Sequence, residues 1–138
     1  SKRVFVVGVG MTPFLKPSEN NPDYPALAKV AIQRALTDAH CEYSRVEAAI
    51  VGYVYGILLA DKGNHKIFRA VYEVGMTGVP VYNVNNNCAT GASALHLAKS
   101  LIAGGIYSCV LAAGFEKMKT GALKQNFSDR ANPIQPFV

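Results

Sequence analysis

The sequence contains no apolar run long enough to cross a membrane. A spanning helix needs about 20 mostly apolar residues, and every uninterrupted apolar run here is much shorter. The opening residues also lack the charged, apolar and small-residue regions of a signal peptide. We therefore expect a soluble protein.

Cysteine is scarce, and its spacing argues against the common roles of paired cysteines. Cys41, Cys88 and Cys109 are odd in number and widely separated, whereas disulfide frameworks and zinc sites need paired or closely spaced cysteines. We expect no disulfide framework, no metal site, and a reducing compartment.

Signals for a nucleic-acid or nucleotide partner are also lacking. The net charge of +5 comes mainly from scattered lysines and arginines, without the interleaved aromatics or motifs of nucleic-acid binding. Gly8 and Gly10 lack the third glycine and the following helix of a dinucleotide fingerprint. We interpret the basic residues near the end as a solvated surface rather than a phosphate site. They are Lys117, Lys119, Lys124 and Arg130.

What is present is an alternation of strand and helix patterns. The chain has 138 residues, half of them apolar, which is about one domain with a real core. Continuous apolar, β-branched runs predict strands at 3–10, 46–55, 79–84 and 108–114. Apolar residues at helical spacing predict helices at 25–39, 67–74 and 89–103. The order βαβαβαβ predicts an α/β fold with a mostly parallel sheet and right-handed crossovers.

Two of the helices carry further signals. The first has Pro25 in its first turn, Asp23 or Tyr24 as its cap, and an apolar face that would lie on the sheet. The helix at 89–103 is apolar over most of its circumference, which predicts one buried central helix between layers. Beyond residue 118 no periodic pattern is sustained, so we expect a folded unit at 1–118 and the start of a truncated loop region at 119–138.

Cys88 is the main candidate for chemistry. Three asparagines follow the strand at 79–84, and Cys88 then opens a helix of small residues. The partial positive charge of a helix N-terminus favours thiolate, and its free N–H groups can hold an oxyanion. Because chemistry collects at the carboxyl ends of parallel strands, we expect the loop at 11–24 and the segment after Gly114 at the same edge. The alternative is that Cys88 is a buried small hydrophobe.

The other cysteines and the histidines are interpreted structurally. Cys109, inside the last strand, and Cys41, after the first helix, are expected to pack. His96 lies two turns beyond Cys88, too far at about 1.5 Å per residue to act as its base, so we assign it a hydrogen-bonded structural role. His40 and His65 are expected on the surface.

Residues 85–91, Asn-Asn-Asn-Cys-Ala-Thr-Gly, precede a small-residue helix, an Ala-Gly-Gly turn and a strand that ends in Ala-Gly-Phe-Glu-Lys-Met at 113–118. This series resembles the first half of a thiolase. Four further segments resemble one branch of that family, the peroxisomal thiolase domain of sterol carrier protein X. They lie at 3–12, 52–56, 75–78 and 127–130.

The resemblance implies an acyltransferase that cleaves 3-oxoacyl-CoA, with coenzyme A as co-substrate and no further cofactor. Cys88 would form an acyl-enzyme, and its backbone N–H would contribute to an oxyanion hole. The branch implies branched-chain or sterol-derived acyl groups, a role in lipid metabolism and fatty acid β-oxidation, and a peroxisomal location, with a cytoplasmic location as the alternative. Family members are dimers, which implies a homodimer through the strand Val79 to Val84.

Two departures from the family matter. Thiolases carry a Gly-His-Pro histidine and further catalytic groups in a second half, and these motifs are absent here, so we expect a missing C-terminal half to be needed for activity. Residues 57–68 also differ from the family's short Gly-Gln loop. The alternatives are a non-catalytic fragment that binds CoA esters or pairs with a full-length subunit, and a ketoacyl synthase, which also has a cysteine at a helix start.

Overall fold

Three parallel strands form the sheet on which the other described elements are arranged. The computed structural model describes residues 3–54, 70–75 and 78–118. Its elements are β1 (Ala48–Gly52), β2 (Val81–Val84), β3 (Val110–Gly114), α1 (Tyr24–Asp38), α2 (Thr90–Ala103) and a short 3-10 helix (Tyr43–Arg45). The mixed α/β class and the parallel sheet are confirmed, and the last three predicted strands are present with shorter bounds.

β1 is the central strand, in the order β2-β1-β3. Both of its pairings are parallel, and all five of its residues are buried, as expected for a strand covered on both faces. Ile50 packs against α2 on one face. Its neighbours Ala49 and Val51 pack with Val71 on the other face. The side-chain alternation of β1 therefore joins two apolar layers.

α1 begins as its sequence predicts. The Asp23 side chain caps the helix by accepting a hydrogen bond from the Tyr24 N–H (2.9 Å), and Pro25 lies in the first turn. Ala28 and Ile32 extend the buried face by one turn each and pack with the aromatic ring of Tyr24. The cap fixes where the helix starts, and this face fixes how it lies on the sheet.

Both long helices end in a left-handed residue. His40 follows α1 with φ of 48°, and Gly105 follows α2 with φ of 77°. In each case the N–H of the next residue donates a 3.0 Å hydrogen bond to a carbonyl of the last helical turn, which is the Schellman arrangement. α1 therefore ends on a histidine in a conformation that favours glycine.

The predicted first strand, at 3–10, is not a strand in the structure. The segment lies along α1: the Val9 N–H donates to Asp38 Oδ2 (2.9 Å), and a Cβ on Gly8 or Gly10 would clash with α1 backbone. β1 already has β3 as its neighbour on this side, and the segment lines a cavity of about 610 Å³ together with α1, α2 and β3. Its large side chains are between 66% and 71% exposed, namely Phe5, Val6, Val7 and Val9.

α2 is covered mainly on its sheet-facing side. Thr90, Ala94 and Ala98 are buried, whereas Leu95 is 55% exposed. The sequence predicts a helix buried on most of its circumference, and the described residues supply a layer for only one face. The apolar character of α2 is therefore greater than its burial requires.

Several predictions fall outside the described residues. These include the divergent segment 57–68 with His65, the start of the helix at 67–74, and the loop region at 119–138 with three of the four basic residues. Residues 70–72 are helical, in agreement with the end of that helix. No helix among the described residues is long and apolar enough to cross a membrane.

Candidate active site

The carboxyl ends of the three strands meet around Val54. Its N–H donates to Glu116 Oε2 (3.0 Å), and its carbonyl accepts from Asn85 Nδ2 (3.4 Å). Glu116 follows β3 and Asn85 follows β2, so these two contacts connect all three strand ends. The convergence that the strand order predicts at this edge is confirmed.

The loop at 11–24 reaches the same edge through Lys117. Its Nζ donates to the Asn21 carbonyl (3.0 Å) and lies 3.9 Å from Asp23 Oδ1. The side chains of Lys117 and Asp23 are 27% and 66% exposed, so water screens the ion pair and it contributes little. The hydrogen bond is the more specific contact. Lys117 thus connects the loop to β3 rather than belonging to a solvated surface.

Three aromatic rings pack together at this edge. The ring centroids of Tyr24 and Tyr53 are 5.1 Å apart, and Phe115 lies 5.4 Å from the first and 4.9 Å from the second. Burial, and to a lesser extent the Glu116 carboxylate, raises the pKa of Tyr53 well above its usual value. The Tyr53 phenol therefore stays protonated and does not act as a base.

Thr90 organises the turn that carries Cys88. Its Oγ1 accepts from the Asn86 N–H (2.8 Å) and donates to the Asn87 carbonyl (2.7 Å). Asn87 has a φ of 47°, which asparagine tolerates better than most residues, and its N–H donates to Asn85 Oδ1 (3.1 Å). The three asparagines and Thr90 thus fix the backbone on both sides of Cys88.

Thr90 also packs against the end of β1. A Cβ at position 52 would lie 2.6 Å from Thr90 Cγ2, so glycine is required for α2 to approach this closely. A Cβ at position 114 would lie 3.9 Å from the Gly91 Cα. Neither Gly52 nor Thr90 is predicted from the sequence as a residue that positions the site. A glycine inside a strand pattern and a threonine beside a helix start are the signals that could have identified them.

Cys88 is exposed on this turn. α2 begins at Thr90 with Ala89 as its N-cap, so Cys88 precedes the cap instead of opening the helix. The alternative that Cys88 is a buried small hydrophobe is wrong. The helical hydrogen bonds begin with the Ser93 N–H, which donates to the Ala89 carbonyl (2.9 Å). The N–H groups of Thr90, Gly91 and Ala92 precede that first helical hydrogen bond, and the Thr90 N–H donates to the Asn87 carbonyl (3.1 Å).

The described histidines do not join this site. His40 follows α1, and His96 is exposed on α2, roughly 10 Å along the helix from its start. Cys41 and Cys109 are partly buried, in line with a packing role. The described residues contain no cluster of three or more His, Cys, Asp or Glu side chains that could hold a metal ion.

Comparison with known proteins identifies the family. The model of the thiolase N-terminal domain matches residues 4–133. Sterol carrier protein 2 from Gallus gallus is 57% identical over 138 residues, which is 99% of this chain and 24% of that protein. Non-specific lipid-transfer protein-like 2 from Caenorhabditis elegans is 46% identical over 140 residues, 99% of this chain and 32% of that one.

More distant proteins also match the chain. A probable acetyl-CoA acetyltransferase from Mycobacterium tuberculosis is 33% identical over 116 residues, 82% of this chain and 29% of that protein. The crystal structure of 3-oxoacyl-[acyl-carrier-protein] synthase III from Aquifex aeolicus VF5 has the same fold, with a TM-score of 0.58 at 20% identity over 74% of this chain and 32% of that one. The chain spans about a quarter of the length of the sterol carrier proteins that it matches. Because the family model covers nearly the whole sequence, this chain belongs to the thiolase family and corresponds to its N-terminal domain.

Proposed function

We propose that this chain carries the nucleophile of a thiolase-type acyltransferase that cleaves 3-oxoacyl-CoA, and that Cys88 is that nucleophile. The observation that carries the proposal is the position of Cys88. It is an exposed thiol on a turn held by Thr90, at the carboxyl ends of the strands and just ahead of α2. Membership of the thiolase family supports the same assignment.

The proposed reaction has two acyl-transfer steps. The Cys88 thiolate attacks the 3-oxo carbon, and the tetrahedral oxyanion collapses with cleavage of the bond to carbon 2. The acyl group stays on the Cys88 sulfur, and carbon 2 is protonated, which releases acetyl-CoA or propionyl-CoA. The thiol of a second coenzyme A then attacks the thioester and frees Cys88. The Cys88 N–H and the N-terminus of α2 stabilise the oxyanions.

The reaction needs a general base for the Cys88 thiol. The described histidines lie elsewhere, so we propose that the base comes from a C-terminal half of the thiolase type. The chain spans only about a quarter of its sterol-carrier relatives, which supports this dependence. A positioned base is worth about a hundredfold or more in rate. We therefore expect little or no turnover by these 138 residues alone.

Turnover in a reconstituted mixture tests the proposal. The chain is mixed with the separately produced C-terminal half of a sterol-carrier-type thiolase, and 3-oxoacyl-CoA and coenzyme A are supplied. We expect product CoA esters with the parent chain and with Cys109→Ala, which removes a thiol away from the site, and none with Cys88→Ala. Equal turnover by the Cys88→Ala chain would contradict the proposal.

We also propose a homodimer through the strand Val79 to Val84. β2 lies at an edge of the described sheet, and an edge strand offers unpaired backbone groups to a second copy. Tyr82 on this strand is exposed, and its hydroxyl lies 2.9 Å from that of Tyr107. Light scattering should show a dimer that Tyr82→Lys weakens. A monomer at every concentration would contradict this interface.

The relatives' names extend the proposal to lipid metabolism. They are a sterol carrier protein and a non-specific lipid-transfer protein-like protein, which supports sterol-derived or branched-chain acyl groups as substrates. On the same basis we propose a peroxisomal location. A comparison of turnover with straight-chain, branched and sterol-derived 3-oxoacyl-CoA tests the substrate class, and a clear preference for straight chains would contradict it.

The absence of a histidine beside Cys88 among the described residues favours one other candidate. In it, the chain binds CoA esters without transferring their acyl groups. Titration of an acyl-CoA by calorimetry separates the two functions. Binding that survives Cys88→Ala, together with no acyl transfer in the reconstituted mixture, would favour the binding module.

A further inference from the structure

A side-chain hydrogen bond spans the turn that carries Cys88. Asn86 Nδ2 donates to Ser93 Oγ (3.0 Å). Asn86 lies two residues before Cys88, between the end of β2 and the start of α2, and Ser93 is the fourth residue of α2. The bond therefore joins the chain that enters the turn to the helix that leaves it, with Cys88 in between.

Ser93 is the fixed end of this bond, and Asn86 is the end that the bond holds. The Ser93 N–H makes the first hydrogen bond of α2, to the Ala89 carbonyl (2.9 Å), so the helix sets the place of its side chain. Asn86 is also attached to the helix start through its main chain. Its N–H donates to Thr90 Oγ1 (2.8 Å), and its carbonyl accepts from the Ala89 N–H (2.9 Å). The side-chain bond is a third attachment and reaches furthest into α2.

The turn decides how Cys88 lies relative to α2, whereas access to the thiol is already open. Cys88 is exposed, so a looser turn cannot add much access. The partial positive charge of a helix N-terminus acts only near its first turn, and a displacement of about 1 Å from a reactive geometry can cost about a hundredfold in rate. Loss of the bond should therefore slow the reactions of Cys88 rather than speed them.

We propose that Asn86 and Ser93 are positioning residues, which hold the Cys88 sulfur at the start of α2 and so raise its reactivity towards electrophiles. The inference rests on the proposed function, in which Cys88 is the nucleophile. Asn86 and Ser93 act through the turn and need no contact with the substrate. In the proposed reaction, breaking their bond should slow the transfer of the acyl group to sulfur.

Alkylation of Cys88 by iodoacetamide tests this role without acyl transfer. The full chain is labelled at neutral pH, quenched and digested, and mass spectrometry follows the peptide that contains Cys88. Ser93→Ala and Asn86→Ala should each lower the alkylation rate by about three- to tenfold, the factor that one hydrogen bond supplies. The double variant should be no slower than the single variants, because both changes remove the same bond. Ser93→Thr keeps the hydroxyl group and should restore the parent rate.

A second serine of α2 provides a matched control. Ser100 Oγ donates to the His96 carbonyl (2.9 Å), so Ser100→Ala also removes a hydroxyl hydrogen bond from this helix, but one remote from the turn. Its rate of Cys88 alkylation should equal that of the parent chain. Cys41 and Cys109 are labelled in the same samples, and their rates should stay unchanged in every variant.

Three results would overturn the proposal. They are parent-like alkylation of Cys88 in Ser93→Ala, equal slowing by Ser93→Thr, and single losses that multiply in the double variant. Equal changes at all three cysteines would mean that the whole fold has loosened, and would overturn it as well. The reconstituted mixture measures acyl transfer separately. Alkylation that depends on the bond, in a chain that transfers no acyl group, would support the positioning role and contradict only the proposed reaction.

Discussion

The contact between Gly52 and Thr90 holds the Cys88 turn against the sheet, and its contribution to the free energy of unfolding can be measured. An alanine at position 52 would place its Cβ 2.6 Å from Thr90 Cγ2, and Thr90 is buried. Inserting a methyl group into such a packed contact costs about 1–3 kcal/mol. Gly52→Ala should therefore lower the free energy of unfolding by that amount.

Two changes at Thr90 separate the roles of its methyl and hydroxyl groups. Thr90→Ser keeps the hydrogen bonds to Asn86 and Asn87 and removes the methyl group, at a cost of about 1 kcal/mol. Thr90→Val keeps the methyl group and removes both hydroxyl hydrogen bonds, at a cost of about 1–3 kcal/mol. The two variants therefore form a matched pair.

Two double variants test whether the Gly52 and Thr90 positions are in direct contact. In Gly52→Ala with Thr90→Ser, the new methyl group enters the space that the threonine methyl left, so the loss of stability should be smaller than the sum of the single losses by about 1–2 kcal/mol. Gly52→Ala with Thr90→Val should show no such relief. Urea unfolding followed by circular dichroism gives all the free energies. Additivity within about 0.5 kcal/mol for both pairs would refute the proposed contact.

Three further predictions concern stability. His40→Gly should raise the free energy of unfolding by about 1 kcal/mol, because glycine adopts the left-handed backbone without strain. Gly105→Ala at the matching position of α2 should lower it by a similar amount. Free energies from urea unfolding that change in the same direction for both variants would contradict this. Asn87→Ala should cost about 1 kcal/mol through its positive φ, whereas Asn87→Gly should cost less, and equal losses in the same assay would count against it. Because the pKa of Tyr53 is raised on folding, ionisation of Tyr53 opposes folding. The stability from the neutral phenol should therefore be fully present below about pH 10 and fall above it. The thermal unfolding temperature should fall less with rising pH for Tyr53→Phe than for the parent chain, and identical pH profiles would contradict the assignment.

Local signals in the sequence were enough to predict much of the fold. The Asp23 cap and Pro25 act within one turn of α1, so neighbouring residues determine them. The apolar run of β1 predicts burial on both faces, and its central position in the sheet explains why. The turn before α2 was predicted from the asparagines, whose side chains do shape it.

Pairing and long-range contacts could not be predicted in the same way. A β-branched run at 3–10 indicates that the segment can be extended. Whether it pairs depends on which strands lie beside β1, and β3 occupies the position next to β1 on that side. The Tyr24, Tyr53 and Phe115 cluster joins three distant parts of the chain, and no local pattern indicates such a contact. The same is true of Lys117 and the loop carbonyl that it binds.

For Cys88, the sequence predicted the residue and its edge of the sheet, and the structure added its exposure and supporting contacts. The neighbouring strand, the asparagines and the small residues of α2 are local signals for a strand, turn and helix. The approach of Thr90 to Gly52 is not local, because it depends on how α2 lies across β1. Whether Cys88 accepts an acyl group stays a prediction.

The residue that carries the acyl group is the most direct test of Cys88 as the nucleophile. The chain is mixed with the C-terminal half of the thiolase and with 3-oxoacyl-CoA in the absence of free coenzyme A, and is then quenched in acid, digested and analysed by mass spectrometry. We expect one acyl group in thioester linkage on the peptide that contains Cys88, and unmodified Cys41 and Cys109. An acyl group on either of those two cysteines, or none on Cys88, would contradict it.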